Sequence, residues 1–431
     1  MTASTNTKGA LRQTRPNYAL LLLTAVFALG LLDRVIFNVL LDPIRQEFHL
    51  SDSEIGLLSG FGFVIFYSGM TFPIAQLADR KNRKIIIVSG ITLWSAMTAF
   101  SGFSANILQL TLARIMVGFG ESMGTAPAHS LLSDFFPKEK RSKAFSIYSG
   151  GLHLGMLLGY LIAGVIGELL GWRYAFLIAG IPGLILALII RFTMKEPSRG
   201  NSEYRYKPKE NKYSTNKALK DIFACKSYRI ILVATTMGAY VIYSMSTWEA
   251  TFLRRIYDFD GRQIGLIVGL VKGLCGLTGA ILGAFFANKF GKKSDKHMMR
   301  IPAIATFLCA IASILFLFSV NATMAIVGLG TMTFFLAFHI GISWSFAQSV
   351  TKVEVRTLAA AVLTICCNLI GHGFGSLIPG FINDLLSESY GIDAIRYSLL
   401  SASAIALLSG MLYWRLSYCI ESDMNKIQIN A

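Results

Sequence analysis

Apolar runs of about twenty residues recur almost from one end of this chain to the other, separated by short charged connections. A run of that length, coiled as a helix, matches the hydrocarbon thickness of a bilayer, and in lipid a helix satisfies its own backbone hydrogen bonds. Twelve spans are predicted, at residues 18–41, 54–77, 84–104, 107–131, 143–168, 172–193, 228–253, 261–287, 300–319, 322–349, 354–383 and 394–418. Only 15% of the 431 residues are charged, well below a soluble domain of this size. The expected fold is an all-α polytopic membrane protein of two six-helix bundles.

The net charge of +16 does not point to nucleic acid, because the basic residues sit in the connections and the aromatics inside the apolar runs. Basic clusters at Arg80–Lys84, at Lys138, Lys140, Arg141 and Lys143, at Lys289–Arg300 and at Lys352 and Arg356 alternate with connections that are acidic or neutral, such as Asp42–Glu54. That asymmetry predicts cytoplasmic termini in a cell (inner) membrane. Arg254, Arg255 and Arg262 break the rule on the outer side, partly offset by Asp258 and Asp260. The apolar stretch after the basic N-terminus is too long for a signal peptide and reads as the first permanent span. Six cysteines without metal-ligand spacing read as free thiols. The polar segment 194–227 divides the apolar runs six and six. The expected organisation is a tail at 1–17, a bundle at 18–193, a cytoplasmic linker at 194–227 with a surface helix near Ser214–Phe223, a second bundle at 228–418 and a tail at 419–431.

Four charged residues lie inside spans of the first half: Asp33 and Arg34 in the first, Arg114 and Glu121 in the fourth. Such groups persist at bilayer depth where they pair, line a wet cavity or carry a coupling ion. Arg114 and Glu121 are two helical turns apart and share a face, while the adjacent Asp33 and Arg34 diverge by about 100°. Asp33 is expected to pair with Arg114, leaving Arg34 to alternate between Glu121 and an anionic substrate group. Asp33 and Glu121 are the candidate proton-coupling carboxylates, because a carboxylate that loses its arginine partner in a dry site takes up a proton. A fixed structural salt bridge is the alternative. Lys272, in the middle of the eighth span, is a substrate-binding candidate, as are Tyr240, Tyr243 and Trp248 in the seventh and His339 in the tenth. Ser246 and Glu249 could line the same cavity. His153 and His372 read as packing residues first.

The two halves echo each other. Ala75-Gln-Leu-Ala-Asp79-Arg80-Lys81-Asn82-Arg83-Lys84 follows the second span, and Ala284-Phe-Phe-Ala-Asn288-Lys289-Phe-Gly291-Lys292-Lys293 follows the eighth. Internal repeats with a site between them are common among secondary transporters. The first of these loops resembles the G-x-L-A-D-R-x-G-R-R loop of the major facilitator superfamily, with Ala75 and Asn82 where glycines are usual. Arg114 to Glu121, Pro127 to Pro137, Asp33-Arg34 and Gly171-Trp172-Arg173 resemble its bacterial spinster-like branch. The resemblance implies a latch role for Asp79, Arg80 and Arg83 between conformations, a proton-coupling role for Arg114, and alternating access driven by the proton gradient. Animal relatives in that branch carry sphingosine phosphate and lysophospholipids, so an amphipathic or anionic small molecule is the implied cargo. The lipid bilayer and protons are the other expected partners; a monomer, no cofactor and no resident metal are expected.

Small organic anions such as carboxylates or siderophores remain a second cargo class, and drug efflux a third. The Gly-Pro dipeptide frequent in the fifth span of drug/proton antiporters is replaced here by Gly159-Tyr160. A membrane acyltransferase is the remote alternative: His129 and Asp134 fit an H-x-x-x-x-D pattern, but no G-x-S-x-G, H-E-x-x-H or Walker loop is present.

Overall fold

Helix boundaries fall where the sequence supplies capping side chains. Ser51 and Glu54 form a capping box at the start of Asp52–Ser59, and Asp260 and Gln263 form another at Gly261–Gln263. Asn82, Asn106, Ser294 and Asn321 each accept a hydrogen bond from the third residue of the helix that follows. These caps satisfy orphan amides where the chain turns back, and so mark the ends of the spans. The computed structural model describes residues 14–198, 215–291, 294–351 and 355–429. Residues 199–214 of the expected linker, the first thirteen residues, and Lys292, Lys293 and Lys352 lie outside that set.

Ten helices among the described residues are long and apolar enough to cross a membrane. The difference from twelve has a structural cause. The fourth span is broken into Ile107–Ser122 and Thr125–Phe135, neither of them long enough alone. The spans expected at 354–383 and 394–418 run together as Leu358–Glu421, although the chain turns between them at Gly391, which has φ +56°. The last helix, Ala394–Ile429, continues past the expected boundary at 418, and the predicted surface helix is observed at Thr215–Ala224.

The first six spans pack on one another and the last six do likewise. Pro16–Val39 lies along Lys138–Leu161, and Asp295–Leu317 along Ala394–Ile429. The first of these contacts is close because Gly155 has no side chain: a Cβ there would run into the Ala28 carbonyl. Between the halves, Asp52–Ser59 packs on Gly373–Tyr390, and Lys138–Leu161 on Gly269–Gly291. The fifth and eighth spans both pass into π-helix at this crossing, at Ile162–Ile166 and Ile264–Val268, and Gly164 lies against Gly265. Such bulges widen the helix locally and recur at functional sites.

Candidate functional site

The glycines of the fourth span set the direction of the buried charges. A methyl at Gly118 would meet the Phe63 carbonyl at 2.5 Å, and one at Gly120 the Trp94 amide at 2.8 Å. The second and third spans therefore press against the glycine face, and Arg114 and Glu121 are turned toward the first span. Arg34 donates from Nη2 and Nε to Glu121 Oε2 at 2.6 and 2.8 Å. Its guanidinium also lies over the Phe63 and Tyr67 rings, 4.7 Å from each centroid. Glu121 Oε1 has no hydrogen-bond partner.

The expected pairing of Asp33 with Arg114 is not found. Asp33 is buried with no ion-pair partner within 4.0 Å among the described residues. The Arg114 guanidinium lies over Phe37 at 4.3 Å and over Phe63 at 5.5 Å, and its Nε is unpartnered. The guanidinium is instead held by stacking on Phe37, one turn along the first span from Asp33.

A cavity of about 200 Å³ opens between the bundles. Arg34, Asn38, Arg114 and His153 reach it from the first half, and Tyr243, Ser246, Lys272 and His372 from the second, with Met156, Met332 and Leu336 in its mostly apolar wall. Tyr243 stacks on His372 with centroids 3.9 Å apart and planes 8° from parallel. The histidines first read as packing residues, His153 and His372, thus face the cavity.

Three substrate-binding candidates lie away from the cavity. Tyr240 bonds Ser401, and Trp248 donates its Nε1 to the Ser376 carbonyl at 2.9 Å. His339 is buried against Gly238 and near Tyr413. None of the three lines the cavity, because the helix-packing face of each span claimed the side chain. Lys272 does line it, but not as an unpaired cation. Its Nζ donates to Glu249 Oε1 at 2.7 Å and to Ser246 Oγ at 2.9 Å. Glu249 also accepts from the Tyr160 hydroxyl of the other bundle. The clue in the sequence was an acid and a base, each alone in neighbouring apolar spans, since each needs a partner at that depth.

At the end away from the termini a second charged cluster joins the bundles. Arg255 donates to Asp42 Oδ1 at 3.1 and 2.8 Å and to Asp52 Oδ2 and Oδ1 at 2.6 and 2.8 Å. Asp384 accepts from the Asp52 and Ser53 amides at 2.9 and 2.7 Å, so a carboxylate of one bundle caps a helix of the other. Asn383 donates to Asp52, and Glu168 accepts from the Gly261 amide at 2.9 Å. The arginine that broke the charge rule is answered across the molecule by Asp42 and Asp52, while Asp258 is the left-handed cap of its own helix.

At the end carrying the termini, Arg83 is 1% exposed rather than at the lipid surface. It donates to Asp134 at 2.5 Å, to Glu196 at 2.9 Å, to Ser130 Oγ at 2.9 Å and to the Pro197 carbonyl at 3.3 Å. Asp79 and Arg80 are exposed beside it. His129 packs edge-on against Phe145 and Tyr148, and Asp134 pairs with Arg83.

Comparison with known proteins agrees with this geometry. A solved bacterial homologue of the human lysosomal transporter Spinster, described as inward-facing and unoccupied, superposes with a TM-score of 0.86 at 26% identity over 96% of this chain and 99% of that one. An MFS-type efflux pump of Mycolicibacterium smegmatis is 26% identical over 93% of this chain and 92% of its own length. The sphingosine-1-phosphate transporter SPNS2 of Danio rerio is 26% identical over 92% of this chain and 83% of its own. The family model of the Major Facilitator Superfamily matches residues 22–376, and the chain belongs to that superfamily of membrane transporters.

Proposed function

We propose that this transporter is a proton-coupled secondary carrier for an amphipathic molecule with an anionic head, lysophospholipid- or sphingoid-phosphate-like in character. The observation that carries the reading is Arg114. It is the cavity arginine with no carboxylate at ion-pair distance among the described residues, and it stands in a wall that is otherwise largely apolar. An anionic head on Arg114 satisfies a buried guanidinium, and a hydrocarbon tail suits the Met and Leu surface beside it. Lys272 and Arg34, each held by a glutamate, serve the anion less directly than the sequence suggested.

Coupling follows from Glu121 and Asp33. Arg34 holds Glu121 through one oxygen only, and Asp33 has no arginine within ion-pair distance. An incoming anion that draws Arg34 away leaves Glu121 a desolvated carboxylate, which favours protonation. The charge lost by the carboxylate then offsets the charge brought by the substrate. The moving bodies are the two bundles, 18–193 and 228–418, with the termini in the cytoplasm of a cell that keeps the protein in its inner membrane as a monomer. The bonds at the far end, together with the likeness to a structure described as inward-facing, support an inward-facing reading of the present arrangement.

Thermal stabilisation of purified protein by lysophospholipids, sphingoid phosphates, small carboxylates and neutral or cationic amphiphiles tests the reading. Anionic amphiphiles are expected to bind, and Arg114→Ala to weaken them roughly ten- to a hundredfold, the effect of one charge-assisted contact. Preferential binding of neutral or cationic amphiphiles, unchanged in Arg114→Ala, would favour efflux of the kind named for the mycobacterial relative.

A further inference from the structure

Glu249 is a fully buried carboxylate that neither the anion site nor the coupling quartet uses. Its Oε1 is held by Lys272 of its own bundle and by the Tyr160 hydroxyl of the other, while its Oε2 has no partner. A carboxylate oxygen left unsatisfied in a dry interior is costly unless it is positioned to accept a proton or a donor in another state. The charged and titratable groups recorded against it are Lys272 from Gly269–Gly291 and Tyr160 from Lys138–Leu161. The neighbours of its stretch from Gly373–Tyr390 and Pro16–Val39 are Ser376, bonded to Thr247, and Asn38, bonded to the Ser246 carbonyl; neither ionises.

The Tyr160 bond crosses the interface that alternating access must open. When the far end parts, Tyr160 leaves with its bundle and water gains a route to Oε2. Lys272 keeps its contact with Ser246 Oγ at the cavity wall. Resting on the transporter reading above, we propose that Glu249 is a second proton-exchanging carboxylate of the cycle, and that Tyr160 links its protonation to closure of the far end. Proton loading transfers one proton from hydronium of the far compartment to Oε2, leaving water, and no other covalent bond changes. Ionised Glu249 holds Tyr160 and keeps the end shut; protonated Glu249 holds it weakly, so acid favours opening.

Hydrogen–deuterium exchange of the far-end segments 41–59 and 373–390, normalised for chemical exchange and compared at about pH 5.5 and about pH 7.5, reads this directly. Wild type is expected to exchange faster at the acid value, by roughly tenfold for one charge-assisted bond. Glu249→Gln is expected to exchange fast at both values, and Tyr160→Phe to flatten the same response while retaining the acid. A Glu249→Gln protein with the full wild-type pH response would overturn the proposal and leave the transporter reading standing. A wild type with no pH response, matched by Glu121→Gln, would remove the proton-coupled reading itself. Should Glu249→Gln alone fail to fold, the double variant Glu249→Gln/Lys272→Gln removes both charges together and is scored the same way.

Discussion

Replacing Arg255 with alanine should shift this transporter toward a state in which the far end is open. The side chains of Asp42 and Asp52 are 5% and 4% exposed, and Arg255 itself is 15% exposed, so the substitution strands two buried carboxylates. Breaking a buried pair costs about 3–5 kcal/mol. Two features reduce that here: Arg45 stays 3.5 and 3.3 Å from the same acids, and the site is not wholly dry. About 2–3 kcal/mol remains, and opening relieves it by hydrating both acids. The closed-to-open ratio then falls roughly 30- to 150-fold, at about 1.4 kcal/mol per factor of ten. Spin labels at the exposed His49 and Glu388, in a background with the six native cysteines replaced, would show the change as a longer distance population. Adding Asp42→Asn and Asp52→Asn to Arg255→Ala should restore much of the short distance, because the stranded charges are gone. An Arg255→Ala protein with the wild-type distance distribution would refute the view that this cluster holds the end closed.

Arg83→Ala should lower the unfolding midpoint strongly, by the equivalent of about 2–4 kcal/mol, since it uncouples Asp134 and Glu196 together; Arg80→Ala should stay within about 0.5 kcal/mol. Thermal unfolding in one detergent compares them. Gly164→Val should wedge the fifth and eighth spans apart at the Gly261 and Gly265 backbone, and the same label pair should report a longer distance with little loss of helix content. Glu47 is held below its ordinary range first by the hydrogen bond from Arg173 and then by that from Trp172, against the opposing effect of burial. Its contribution is therefore present above the unfolded carboxylate pKa and lost as pH falls through the lowered folded value. Glu47→Gln should remove that part of the acid sensitivity, amounting to less than about 1 kcal/mol because the side chain is 43% exposed.

Much of the fold was legible because membrane-spanning helices are written in composition; the capping roles of Asn82, Asn106 and Asn321 emerge only in the structure. The break at Met123–Gly124 escapes a hydropathy window, although its local cause is in the sequence: Pro127 cannot donate to the Met123 carbonyl four residues back, and Gly124 stands at the turn. The burial of Arg83 is not legible in the loop motif, because Asp134 and Glu196 arrive from 51 and 113 residues away to bury it.

Within the site, sequence separates residues that must be paired from those that need not be, but it does not choose the partners. Arg34 and Glu121 were matched correctly because both lie in the first bundle and face each other across a glycine-lined gap. Lys272 was read as a substrate-binding cation from its mid-span position, while Glu249 was placed near the outer end of the seventh span and not matched to it. The seventh helix in fact runs from Lys226 to Tyr257, eight residues beyond Glu249, and that extension carries the acid inside. One helix boundary thus decides the electrostatics of the cavity. With Lys272 and Arg34 both answered by glutamates, the unmatched members are Arg114 and Asp33, one cation and one acid that fail to meet. A site left in that condition can take an anion and a proton together without gaining net charge, which is the balance a proton-coupled carrier of anions requires at bilayer depth.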